Sequence, residues 1–142
     1  MWDGPDFIGA KIALLSEGRL IAYKRDRKPD IPFPGMWDLP GVGREGDETP
    51  VECAIRETRE EFGLLIDARS IVWQRHYPGR TPHSPVGYFL VAHVDRDSFR
   101  SVAFGDEGEQ WAIMTVDEFL RHPEVVGHLQ HRLRDYLMSL GS

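Results

Sequence analysis

Three glutamates, Glu57, Glu60 and Glu61, stand at i, i+3 and i+4 in the run Arg56-Glu57-Thr58-Arg59-Glu60-Glu61. On a helix advancing about 100° per residue they share one side, whereas Val51, Ala54, Ile55, Thr58 and Phe62 fall on another that can face a core. Like charges at these spacings oppose an exposed helix by about 0.2–0.5 kcal/mol per pair. In a cleft, two charges about 5 Å apart at an effective dielectric of 20 repel by roughly 3 kcal/mol. A hard divalent cation would neutralise such a cluster, because Mg²⁺ takes oxygen ligands and shares its shell with phosphates. The chemistry open to such a site is attack of activated water on phosphorus. The bland alternative is a solvated acidic helix face.

The segments around this helix define its limits. Thr49 is an N-cap, Pro50 occupies the first helical position, and Glu52 completes a capping box. Gly63 ends the helix in a left-handed conformation. Upstream, Phe7–Leu15 and Arg19–Lys24 read as strands joined through Ser16-Glu17-Gly18. Lys28–Pro34 holds three prolines and reads as loop. Trp37-Asp38-Leu39 reads as a short strand, and 40–48 as loop. Downstream, Ser70–Tyr77, Val86–Val94 and Gln110–Met114 read as strands. Thr115 caps a short helix with Glu118. Val125, Val126, Leu129, Leu133, Tyr136, Leu137 and Leu140 mark the apolar side of a last helix. One domain over residues 1–142 is expected, of α/β class.

The stretch 41–64 resembles the Nudix box, G-x5-E-x7-R-E-U-x-E-E-x-G-U with U aliphatic. Glu48, Arg56-Glu57, Glu60-Glu61 and Gly63-Leu64 fall in register, and Trp37-Asp38-Leu39-Pro40-Gly41 is similar to the family's lead-in. The resemblance implies an α/β/α sandwich around a central mixed sheet. It implies a pyrophosphohydrolase acting on a nucleoside diphosphate linked to a further group X, such as a nucleoside triphosphate, with Mg²⁺ as cofactor and Mn²⁺ as a substitute. It makes Glu57, Glu60, Glu61 and the Gly41 carbonyl metal ligands, with Glu57 activating water. Glu48 and Arg56 become an ion pair that orients the loop, and a further acidic ligand comes from Asp106-Glu107-Gly108-Glu109, Glu107 before Glu109, unless that loop is a solvated acidic turn. Two positions depart from the pattern. Val42 stands where the leading glycine belongs, which is costly if that residue needs φ > 0. Thr58 stands at an aliphatic position, where a buried hydroxyl needs a partner. Val42 keeps open a second reading, a nucleotide sensor with little turnover. A third is a metal-binding or scaffolding domain.

Substrate contacts are weaker in the sequence. Arg25 either meets a phosphate or ends a strand in solvent. Phe33, Trp37 and Tyr88 either stack on a base or pack in the core. Arg75 and Arg80 flank a Pro-Gly-His loop, and His76, His83, His128 and His131 have no ligand context. The net charge of -6 argues against broad, nonspecific binding to nucleic-acid polymers. No apolar stretch spans a membrane. One cysteine, Cys53, and no secretory leader lead to the expectation of a cytoplasmic protein. A homodimer is compatible with the chain.

Overall fold

The computed structural model describes residues 2–105, 108 and 110–141. Its strands are β1 (Phe7–Ser16), β2 (Arg19–Lys24), β3 (Trp37–Asp38), β4 (Gly41–Gly43), β5 (Ile71–Tyr77), β6 (Val86–His93) and β7 (Gln110–Thr115). Its helices are α1 (Pro50–Phe62), α2 (Val116–Arg121) and α3 (Gly127–Leu140). The sheet is mixed. β1 runs parallel to β6 and antiparallel to β2, in the order β3-β2-β1-β6-β5, with β4 on β1 and β7 on β2.

Alternation along the central strands builds two cores. Ile12, Leu14 and Leu90 face Ala54 and Phe62 of α1. Ala13, Leu15, Phe89 and Val91 face Phe119 of α2 and Leu129, Leu133 and Tyr136 of α3. Helices on both faces of one sheet make an α/β/α sandwich. No described helix is long and apolar enough to cross a membrane.

Helix α1 begins and ends where local chemistry dictates. Thr49 Oγ1 accepts the Glu52 N–H at 3.1 Å, and Glu52 Oε1 accepts the Thr49 N–H at 2.9 Å. Gly63 closes the helix at φ 66°.

The structure corrects three expectations and resolves the condition placed on Val42. Residues 41–43 are a strand rather than loop, pairing with Gly9, Ala10 and Lys11 of β1. The buried side of α1 holds Cys53 and Glu61, while Val51 and Ile55 are only partly covered. Val125 and Val126 are buried but precede α3, and Leu140 at its end is exposed. Val42 needs no positive φ. That conformation falls on Gly41 (φ 104°), where a Cβ would lie 2.1 Å from the Ala10 carbonyl oxygen. Val42 is half exposed (50%), so its side chain meets little resistance.

Candidate active site

Gly41 positions the acidic helix. Its positive φ lets the backbone pass close to β1, and its N–H donates to Glu61 Oε1 at 2.8 Å. Glu61 is therefore drawn inward and is only 6% exposed. Burial pushes its carboxyl up to about 8, although the Lys11 charge and the Gly41 N–H pull the other way. Among the described residues no cation stands within ion-pair distance of Glu61.

Arg56 organises the rest of the cluster. Its Nε and Nη2 donate to the two carboxylate oxygens of Glu48 at 2.6 and 3.0 Å. Nη2 also donates to the Gly43 carbonyl at 2.6 Å, and Nη1 reaches Glu57 and Glu60 at 3.1 Å each. These bonds hold the guanidinium charged and depress the Glu48 carboxyl. The fork ties the β4 end, the loop residue Glu48 and two helix carboxylates into one unit.

The three α1 carboxylates do not converge as they stand. Glu57 and Glu60 turn to Arg56, and Glu61 turns to Gly41. Among the described residues no three His, Cys, Asp or Glu side chains are grouped to hold one ion. The donor chemistry nonetheless fits a hard divalent cation, since the donors are all oxygens and a bound cation would offset the burial that pushes the Glu61 carboxyl up. Glu107 lies outside the described residues.

A second charged centre was not anticipated from the sequence. Asp38 is 3% exposed. Its Oδ2 accepts Lys11 Nζ at 3.0 Å, Arg25 Nη1 at 2.8 Å and Tyr23 OH at 3.2 Å, and its Oδ1 accepts the Leu39 N–H at 2.7 Å. Burial opposes the Asp38 charge, but Lys11 and these hydrogen bonds hold the carboxyl below its usual range. Two cations on one carboxylate leave the hub one positive charge in excess. The one signal in the sequence was Lys11 itself, a charge within the apolar run of β1.

The other candidates fall around these centres. Arg25 also donates from Nε to the Pro32 carbonyl at 2.8 Å and lines a cleft of about 260 Å³ with Tyr23, Asp26, Lys28, Ile31 and Gly108. Trp37 is buried in the core beside α3, its ring meeting His122 edge-on. Tyr88 packs with Trp2 and Phe7. Phe33 stands at the mouth of a larger cavity with His128 and Arg132.

The fold has counterparts among known proteins. The model of the NUDIX domain matches residues 8–134. A MutT protein from Methanosarcina mazei superposes with a TM-score of 0.72 over 100% of both chains at 18% identity. Among curated proteins, an RNA pyrophosphohydrolase of Xanthomonas oryzae is 30% identical over 109 residues, 75% of this chain and 46% of that protein. An ADP-ribose pyrophosphatase of Methanocaldococcus jannaschii is 33% identical over 70 residues, 49% of this chain and 40% of that protein. The chain thus spans less than half the length of these curated relatives. It belongs to the Nudix family.

Proposed function

We propose that this protein is a divalent-metal-dependent pyrophosphohydrolase that splits the phosphoric anhydride of a nucleoside diphosphate linked to a further group X. The observation that carries the reading is Glu61, a buried carboxyl with no cation at ion-pair distance among the described residues, on the same helix as Glu57 and Glu60. A nucleoside triphosphate or related nucleotide is the substrate we favour, with Mg²⁺ as the ion and Mn²⁺ as a substitute. The overall negative charge and the lone buried Cys53 agree with a small soluble nucleotide handled in the cytoplasm.

In this reading Glu57, Glu60, Glu61 and the Gly41 carbonyl hold the ion, with Glu107 as a further ligand. Once bound, a divalent cation polarises phosphoryl oxygens and offsets charge on the leaving group. Glu57 takes the proton of the attacking water. Arg56 and Glu48 act through the others, fixing where Glu57 and Glu60 can reach. Arg25 and Lys11 supply positive charge for the phosphates from the Asp38 hub. Val42 gives no support to the sensor reading, because its backbone is unstrained.

The test is a nucleotide panel with Mg²⁺ and identification of the products. At least one member is expected to release phosphate, pyrophosphate or a nucleoside monophosphate. Glu60→Gln and Glu61→Gln should each lower turnover roughly 100-fold, the scale of losing one electrostatic partner of a transition state. Full activity in both variants would remove these carboxylates from the metal site. Binding without turnover at any Mg²⁺ or Mn²⁺ concentration would make the protein a sensor.

A further inference from the structure

A cavity of about 540 Å³ opens between α3, the loop before β6 and the starts of β1 and β6. Ile8, Phe33, Arg80, Gly87, His128 and Arg132 line it. Its size suits a small-molecule moiety. Its lining residue Ile8 precedes Gly9, which pairs with Gly43, the residue whose carbonyl Arg56 holds, while α3 and α1 pack on opposite faces of the sheet.

Arg132 is the unusual member. Its guanidinium lies 4.5 Å from the centre of the Tyr77 ring, and burial disfavours its charge. Among the described residues no carboxylate pairs with it. The acid one turn further along α3, Asp135, is engaged elsewhere, accepting from Tyr77 OH at 2.8 Å and facing Arg75 at 3.7 Å and His131 at 3.8 Å. A partly buried cation without a counter-charge is costly in a protein of net charge -6. Arg132 lines the cavity beside Gly87 and His128. Gly87 contributes no side chain to the floor, and a Cβ there would come no nearer than 3.9 Å to Arg132 Nη1. Arg80 adds a second positive charge at the rim, and Phe33 lies against His128 with ring centres 5.7 Å apart.

We infer that this cavity recognises an anionic group, a phosphoryl or carboxylate, on the part of the substrate remote from the anhydride that is cleaved, with Arg132 as its main contact. That the anion belongs to a substrate rests on the function proposed above; the anion site does not. Arg132 determines specificity and takes no part in the chemistry. It favours compounds whose remote end is charged over those whose remote end is neutral.

The test is binding to the metal-free full chain, followed by NMR at the Arg132 Nε–H and the Gly87 amide. The probes are phenyl phosphate, benzoate and the neutral benzyl alcohol. At least one anion should bind about 10-fold or more tightly than benzyl alcohol, as expected for charge-assisted hydrogen bonds. The stronger of the two anions identifies the group. Arg132→Met keeps an apolar stem over Tyr77 and should abolish the preference, while Arg134→Met, the same charge loss elsewhere on α3, should keep it. Arg132→Gln provides a second variant. No preference in the wild-type chain, or a preference that survives both Arg132 variants, overturns the inference. Turnover is not read, so a chain that hydrolyses nothing would defeat the proposed activity and leave this site standing.

Discussion

The Gly41 N–H donates to Glu61 at 2.8 Å, so the turn entering β4 and the last turn of α1 are held as one piece. The same glycine takes the positive φ that passes the chain over β1. Gly41→Ala should therefore damage activity and cost more than about 2 kcal/mol, since it combines a left-handed non-glycine residue with a backbone clash. Val42→Gly should leave turnover unchanged and cost about 0.5–1 kcal/mol of stability from added chain entropy. Steady-state rates and urea unfolding of both variants check this pair. A large rate gain in Val42→Gly would contradict it.

Thr58 is fully buried, and its Oγ1 has no hydrogen-bond partner among the described residues. A buried, unsatisfied hydroxyl costs about 1–3 kcal/mol. Thr58→Val keeps the shape and removes the hydroxyl, so we expect stabilisation of about 1 kcal/mol, seen as a higher urea midpoint with unchanged slope. A lower midpoint would mean that the hydroxyl has a partner after all.

Arg56→Lys keeps the charge and loses the fork. A lysine cannot grip both oxygens of Glu48 while reaching Glu57 and Glu60. We expect turnover to drop by roughly an order of magnitude or more, with a smaller change in KM, because the carboxylates are displaced rather than removed; a drop of that size corresponds to roughly 1.4 kcal/mol. Turnover at the wild-type level in Arg56→Lys would show that charge alone suffices.

Asp38 gives the acid limb of stability. Its folded carboxyl titrates below the ordinary value of 3.8. The stabilisation is thus complete above that value and lost as pH falls through the lower folded value. Asp38→Asn should flatten this limb and cost about 3 kcal/mol or more at neutral pH, since Lys11 and Arg25 lose their shared partner. Unfolding curves across the acid range up to neutral pH make the comparison. An acid limb as steep in Asp38→Asn as in the wild type would exclude Asp38 as its source.

The parts of the fold that the sequence made legible are those set by neighbours along the chain. Thr49, Pro50, Glu52 and Gly63 mark α1 because capping acts within a few residues. β4 was missed because its pairing needs β1, a partner about thirty positions earlier, and three residues alone have no visible period. Glu61 reads as part of an exposed acidic side until Gly41 draws it inward. Asp38 and Lys11 meet across 27 positions, and neither residue type announces the other. The Thr58 hydroxyl could be flagged from its place in the motif, while its lack of a partner required the packing around it.

The grip of Arg56 on Glu48, Glu57, Glu60 and Gly43 has a consequence for how the site is kept at rest. The outer carboxylates carry a resident cation supplied by their own helix. On the proposed function, an incoming divalent ion would have to displace the guanidinium from Glu57 and Glu60, while Glu48 and Gly43 retain the arginine. Loading would then be an exchange of countercharge that draws together carboxylates held apart by Arg56 and Gly41.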